Sequence, residues 1–510
     1  MPGFHRGDYL LALPMMLLTL FALGVLLIDL LLDRSSKVIN AWAAFAGLAF
    51  SAAAVHNIQR AFADQAARGE PSSPFFAFSG TLMVDRFAVF FFYLFLAAAA
   101  ITILMSVRYL EVEDEHHGEY YALILFSVVG MMCMAAGNDL ILLFIGLELM
   151  AVSTYILVGF LRRDRRSNEA ALKYLLLGAF SSGIFAYGLS LLYGLAGSTN
   201  LQQISMALGN AMAPGKARVV PAVALVTTAA GLFFKIAAVP FHQWAPDAYE
   251  GAPTSITGFM SVAGKASAWA LLLRIFLFAL GPMRPLYVPI LVFVSIATMT
   301  GGNLAALTQT NLKRLLAYSS ISHVGYMLLG LIAGTAYVTD PTGIKGILIY
   351  LLVYTFMNLG AFAVITSLRR RDVIGDEIDD IAGLYSRAPV ECLLMLLFLL
   401  SLAGIPPLAG FYGKYFIFLS LIETGHYLLA SAAVLYAVLG LYYYMRIANA
   451  MLMREPLVPE RVRVSPGMAV ALAVTAIGTV GIGIFPDIFI RAVNWSLNIS
   501  QTASVAHLVK

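Results

Sequence analysis

Long apolar runs dominate this chain, separated by short polar stretches, in place of the short alternating segments of a membrane β-barrel. A run of about 20 apolar residues crosses the hydrocarbon of a bilayer as a helix. Fourteen such runs begin near Tyr9, Val38, Leu82, Tyr120, Asn138, Ala170, Val219, Pro253, Leu286, Leu315, Gly343, Pro389, Tyr427 and Met468. The pattern predicts an all-α, polytopic transmembrane helical bundle of about 14 spans. It forms a single integral membrane domain over 1–510, with no linker long enough to separate domains. The first run is too long for a cleaved signal and lacks a small-residue cleavage motif, so it reads as a retained span.

An even number of spans puts both termini on one side, and the distribution of lysine and arginine chooses that side. Loops after odd-numbered spans carry sixteen: Arg34, Lys37, Arg108, Arg162, Arg163, Arg165, Arg166, Lys313, Arg314, Arg369, Arg370, Arg371, Arg387, Arg454, Arg461 and Arg463. The opposite face carries nine: Arg6, Arg60, Arg68, Lys216, Arg218, Arg284, Lys345, Arg491 and Lys510. Both termini are therefore expected on the non-cytoplasmic side of the membrane.

Composition agrees with lipid as the solvent. The chain is 60% hydrophobic and 12% charged, about half the usual charge of a soluble domain. A net charge of +4 is too small to imply a nucleic-acid partner. Cys133 and Cys392 lie inside apolar runs and offer no CxxC pair, cluster site or disulfide framework. No cofactor or metal is expected in this chain. His116 and His117 follow the acidic stretch Glu111–Glu115, but their spacing matches no closed metal site, and a solvated loop is the reading preferred.

The informative residues are charges in the middle of spans, where each costs about 2.5–3.5 kcal/mol on insertion scales. Glu148 lies in span five, Lys235 in span seven, Lys265 near the centre of span eight and Lys414 in span twelve, with Lys173 near the cytoplasmic start of span six. Structural ion pairs are the competing reading. One carboxylate cannot neutralise three deep lysines spread over several spans, and desolvation lets such a lysine exchange a proton near neutral pH. A proton relay is therefore favoured.

Two of these spans contain helix breakers at membrane depth. Pro240 follows Lys235 by five residues, and Gly404, Pro406, Pro407, Gly410 and Gly413 precede Lys414. Irregular backbone survives there only when buried in protein or lining a wet cavity, and discontinuous helices with ionisable residues mark transporter sites. Broken helices in spans 7 and 12 lie five spans apart. Two inverted five-helix repeats follow as an expectation, resting on position more than on similarity. The chain then divides into 1–119 (three N-terminal spans), 120–280 (first repeat), 286–453 (second repeat) and 454–510 (a C-terminal span). His323, in a polar window with Ser319, Ser320 and Ser322, and His242, after the first break, are candidate links in the relay. A hydrogen-bonded structural histidine is the alternative for each. His323 ranks first because His242 lies nearer the cytoplasmic surface.

These segments resemble the antiporter-like subunits of complex I and their relatives in Mrp-type antiporters and membrane hydrogenases. The most specific stretch is Phe234–Thr254, with its FK…PFHxWxPDA block. Its Tyr249-Glu-Gly-Ala-Pro253 ending is similar to the subunit N branch. Further matches are Gly146-Leu-Glu-Leu-Met150, Lys173-Tyr174, Asn311–Ser320 and Gly404–Lys414, so the resemblance covers roughly residues 80 to 450. The chain ends soon after span fourteen, without the long lateral helix of subunit L, and the double proline Pro406-Pro407 is a departure from the family. The resemblance implies a proton-translocating membrane subunit of NADH-quinone oxidoreductase in a cell inner membrane. It assigns Glu148 and Lys235 to a switching ion pair, Lys265 to the central carrier and Lys414 to the exit. NADH, flavin, iron–sulfur clusters and quinone are expected in the parent complex. Subunits K and M are the implied neighbours, with A, J, L and H in the same assembly. The alternatives are an Mrp-type Na⁺/H⁺ antiporter subunit, against which the Tyr249–Pro253 ending argues, and a scaffold that does not transport.

Overall fold

The computed structural model describes residues 6–33, 36–70, 73–334, 342–369, 375–456 and 464–497. Of the basic residues used to orient the chain, Arg34, Arg370, Arg371, Arg461, Arg463 and Lys510 lie outside the described residues, as does the side chain of Arg6. Helix α1 (Arg6–Asp29) and α2 (Val38–Ala67) precede a short hairpin of β1 (Phe75–Ala77) and β2 (Leu82–Val84), antiparallel with Phe75 opposite Val84. Then come α3 (Arg86–Glu113), α4 (Gly118–Ala136), α5 (Leu140–Val158), α6 (Arg165–Ala196), α7 (Leu201–Ala211), α8 (Val219–Ile236) and α9 (Trp244–Gly251). A continuous helical span follows, built from α10 (Thr254–Phe259), a π turn (Met260–Gly264), α11 (Lys265–Leu273) and a second π turn (Arg274–Ala279). The second half contains α12 (Arg284–Thr308), α13 (Leu312–Gly334), α14 (Thr342–Ser367), α15 (Leu384–Arg387), α16 (Pro389–Ala403) and α17 (Ala409–Glu423). It closes with α18 (Tyr427–Met453), α19 (Pro466–Ile484) and α20 (Pro486–Leu497).

Local sequence sets the helix ends. Asp85, Asp139, Asp164 and Ser465 each accept from backbone N–H groups of the turn they precede, as N-caps do. Gly197 and Gly404 leave α6 and α16 in the left-handed conformation that glycine adopts without a Cβ clash. The apolar run at Leu82 is thus partly a strand, because Asp85 caps a helix that begins only at Arg86. Lys313 and Arg314, expected in a loop, sit in the first turn of α13.

Thirteen helices among the described residues are long and apolar enough to cross a membrane. The run beginning at Pro389 is the remaining one of the fourteen expected. It is split into α16 and α17, each of 15 residues, and at 1.5 Å per residue neither covers the roughly 30 Å of hydrocarbon alone. Leu20, Leu27, Phe180, Phe293 and Leu435 are exposed on outer surfaces, where lipid would meet them. The best enclosed spans are Leu312–Gly334, Thr342–Ser367 and Thr254–Ala279, with 94%, 89% and 83% of their apolar window buried, against 28% for Tyr427–Met453. The centre of the bundle therefore belongs to the helices that carry Lys265 and His323.

Candidate proton-relay site

Lys265 is 3% exposed and donates from Nζ to Ser320 Oγ at 2.5 Å, with its ammonium 5.7 Å from the centre of the Tyr249 ring. It begins α11, next to the π turn. One extra residue per turn shifts the register of the following helix, and such π insertions recur at functional sites. Ser320, His323 and Tyr326 recur at three-residue spacing along one face of α13, spanning about 9 Å of helix. At the far end of that face the Lys414 ammonium lies 5.4 Å from the centre of the Tyr326 ring. The α13 face thus connects Lys265 to Lys414.

Between the two lysines His323 engages both ring nitrogens. Nδ1 bonds to the Tyr350 hydroxyl, and Nε2 lies 3.0 Å from the Tyr444 hydroxyl, which in turn meets Ser319 Oγ at 2.5 Å. Asn303 ties Ser322 into the same layer at 2.9 Å. Tyr249 and Tyr354 point buried hydroxyls into this region, near Ser320, without a close hydrogen-bond partner among the described residues. Buried orphans of that kind are the groups that internal water satisfies.

The second break places Lys414. Gly404 ends α16 with φ +87°, its N–H donating to the Leu400 and Ser401 carbonyls, and the chain turns through Ile405–Leu408 before α17 begins. Lys414 Nζ reaches back to the Leu402 and Ala403 carbonyls at 3.1 and 2.7 Å. These are orphan acceptors at the negative end of α16, where a cation is favoured. A Cβ on Gly404 would lie 2.9 Å from Lys414 Cδ, so glycine also makes room for the lysine.

The first break mirrors this chemistry. Helix α8 ends at Ile236, Ala237 takes φ +59°, and Val239 donates its N–H to Thr298 Oγ1 at 3.0 Å. Lys235 sits in the last turn of α8, buried, and donates to the Tyr155 hydroxyl at 3.3 Å. Glu148 is half-buried, accepts from Ser182 Oγ at 2.5 Å, and makes no ion pair with Lys235 within 4.0 Å. Stacked and edge-on rings of Tyr155, Tyr174, Trp244 and Tyr249 run from the Lys235 site towards Lys265. Lys235, Lys265 and Lys414 all lack a carboxylate within 4.0 Å among the described residues.

Lys173 lies elsewhere, at the surface. With Glu169, Asp247, Glu250, Arg166 and Arg314 it lines an open cavity of about 180 Å³. Lys173 contacts Glu169 at 2.9 Å and Asp247 at 3.1 Å, while Arg314 bridges Asp247 and Glu250 at 2.6 and 2.9 Å. His242 is half-buried after the first break, and its Nδ1 has no close hydrogen-bond partner among the described residues. The structure does not bring either residue to the central lysines. His116 meets the Tyr121 hydroxyl at 2.9 Å and His117 meets Glu115 at 3.3 Å. Burial is the largest influence on His116 and holds its pKa below the ordinary histidine value. No group of three or more His, Cys, Asp or Glu side chains could hold a metal among the described residues.

Sequence reasoning missed a fully buried ion pair. Arg274 donates from two guanidinium nitrogens to Asp85 at 2.7 and 2.6 Å and from Nε to the Ala135 carbonyl at 2.9 Å. The signal was present, since Arg274 interrupts the run Leu271-Leu-Leu-Arg-Ile-Phe276 as plainly as Lys265 interrupts its own. Lys313, another buried cation, pairs with Asp376 at 3.6 Å. The tyrosine partners of Lys235 and His323 had no signal in sequence, because they come from distant helices.

Residues 137–440 match the family described as NADH:quinone oxidoreductase/Mrp antiporter, TM. The chain is 65% identical over 505 residues to NADH-quinone oxidoreductase subunit N 1 of Koribacter versatilis, covering 99% of this chain and 98% of that one. A chain of respiratory complex I from Thermus thermophilus superposes with a TM-score of 0.77 at 32% identity, covering 94% and 99% of the two chains. A chain of the Mrp complex from Dietzia superposes with a TM-score of 0.83 over 98% and 99%, but at 20% identity it shows likeness of fold alone.

Proposed function

The chain belongs to the subunit N family of NADH-quinone oxidoreductases, the antiporter-like membrane subunits of respiratory complex I, and from that premise we propose that it moves protons across a cell membrane as one subunit of such a complex. Electron transfer from NADH through flavin and iron–sulfur clusters to quinone belongs to other subunits, and this chain contributes proton transfer without a redox centre of its own. Subunits K and M are its proposed neighbours, with A, J, L and H in the same assembly. The cell inner membrane is its proposed location, with both termini on the non-cytoplasmic side. Spans four to eight and nine to thirteen act as inverted halves, each with one broken helix and one lysine beside the break.

One observation carries this reading: three deep lysines have no carboxylate partner among the described residues, and two of them are joined by the Ser320–His323–Tyr326 face. Glu148 acts on Lys235. When the carboxylate moves towards the ammonium, Lys235 is held charged, and a second positive charge nearby favours release of a proton from Lys265. When Glu148 withdraws to Ser182, as it sits here, Lys265 Nζ can take a proton from the cytoplasmic side. His323, held between two tyrosine hydroxyls, passes the proton on to Lys414 Nζ, which releases it outward. The charged cavity around Lys173 and Asp247 is the proposed inlet, with His242 beyond it. At an effective dielectric near 20, unit charges about 4 Å apart interact by about 4 kcal/mol. Moving one proton against 100 mV costs about 2.3 kcal/mol. A single moving ion pair is large enough to bias one transfer.

The test is affinity purification of the tagged chain from native membranes. Co-purification of the other complex I membrane subunits with NADH:quinone activity supports the proposal. Recovery with cation-antiporter subunits, and Na⁺-driven proton movement without NADH, would overturn it in favour of the Mrp-type reading.

A further inference from the structure

A groove of about 350 Å³ opens on the side of the bundle between α2, α3, α14 and α20, away from the relay. Phe90, Leu94, Ala97, Leu352, Phe356 and Trp495 give it an apolar wall. Its lining hydroxyls are already spent: Tyr93 donates to Gln59 Oε1 at 2.8 Å and Thr355 to its own helix at 2.8 Å. Arg86 stands on the same face of α3, one turn before Phe90, with its guanidinium 5.1 Å from the centre of the Trp495 ring. Arg86 is 7% exposed, its Nε has no partner, and no carboxylate lies within 4.0 Å of it among the described residues. The adjacent Asp85 is engaged instead by Arg274 and the Ala88 N–H. An arginine so enclosed, facing the Phe62 and Trp495 rings with no carboxylate beside it, favours an anion. From Arg86 to Ala97 the helix descends about 16 Å, the depth of one leaflet of a hydrocarbon core about 30 Å thick.

We infer that this groove binds an anionic phospholipid, with its phosphodiester against the Arg86 guanidinium and one acyl chain lying along α3 towards Ala97. A phospholipid supplies both features the site requires, a negative head and a leaflet's length of hydrocarbon. Guanidinium is suited to phosphate by its planar set of donors.

The assembled complex is incorporated into phosphatidylcholine vesicles doped with phosphatidylglycerol that carries a photoreactive diazirine at the end of one acyl chain. Irradiation should label Leu94, Ala97, Leu352 or Phe356, and unlabelled phosphatidylglycerol should compete while phosphatidylcholine does not. Arg86→Gln should weaken labelling roughly tenfold, the scale of a charge-assisted hydrogen bond. Arg86→Lys should retain most of it, and Ala97→Trp should block the groove in a complex that still assembles on a native gel. An unlabelled groove in the wild-type complex would overturn the inference. So would labelling indifferent to headgroup, or crosslinks from the groove to a neighbouring subunit's helix. Should the variants fail to assemble, headgroup competition on the wild-type complex decides alone.

Discussion

Arg274 and Lys265 are both buried cations in one span, yet replacing each with methionine should move stability in opposite directions. Arg274 is 0% and Asp85 3% exposed, and their paired contacts are 2.7 and 2.6 Å long. Arg274→Met would leave the Asp85 carboxylate buried with, among the described residues, only the Ala88 N–H at 2.8 Å to satisfy it, and would strip the Ala135 carbonyl of the Arg274 donor. Removing one partner of a buried pair costs about 3–5 kcal/mol, a shift of more than about a hundredfold at roughly 1.4 kcal/mol per decade. Lys265 has Ser320 and an aromatic face but no counter-charge among the described residues, so Lys265→Met removes a desolvated cation and should leave stability equal or higher. The assay is thermal unfolding of the detergent-solubilised complex, with assembly followed on native gels. Arg274→Met should lower the midpoint by about 5 °C or more, and adding Asp85→Asn, which keeps the cap of α3, should recover at least half of the loss. A wild-type midpoint for Arg274→Met beside a collapsed Lys265→Met complex would refute this division between structural and mobile charge.

Replacing Glu148 with Ala should depress both proton pumping and quinone reduction, whereas Glu148→Asp, which keeps the charge, should be milder; equal rates in the two variants would argue against a tuning role. Single cysteines along Leu408–Tyr412, in the break that leads to Lys414, should react with a water-soluble thiol reagent in an active complex, while uniform protection would favour dry packing. A reporter active only in the cytoplasm, fused after the last residue, should stay silent, and a strong signal would reverse the proposed orientation.

Most of the fold was legible because span length and apolar content are local properties. The runs at Tyr9, Val38, Ala170 and Tyr427 each correspond to a long helix, and the Pro389 run corresponds to the pair α16 and α17. Breakers were equally readable: α8 stops at Ile236 before Pro240, and α16 stops at Ala403 before Gly404, Pro406 and Pro407. The π turns flanking α11 were not, since Met260–Gly264 and Arg274–Ala279 have ordinary helical composition and depend on how the enclosed span packs. Candidate charges could be found one at a time from their cost in lipid. Their partners could not, because Ser320, Tyr350 and Tyr444 reach Lys265 and His323 from 55, 27 and 121 residues away. The partner of Lys173 was hidden for the same reason, since Asp247 lies 74 residues away.

The central claim is that Lys265 carries the proton and is not a structural cation. Its most direct test is Lys265→Met, with proton uptake and NADH oxidation measured on the same membranes and assembly checked by native gel. The complex should form and bind NADH normally, while pumping and quinone reduction fall together because the two steps are mechanically coupled. Normal pumping by the fully assembled Lys265→Met complex would contradict the account and return the buried lysines to a structural role.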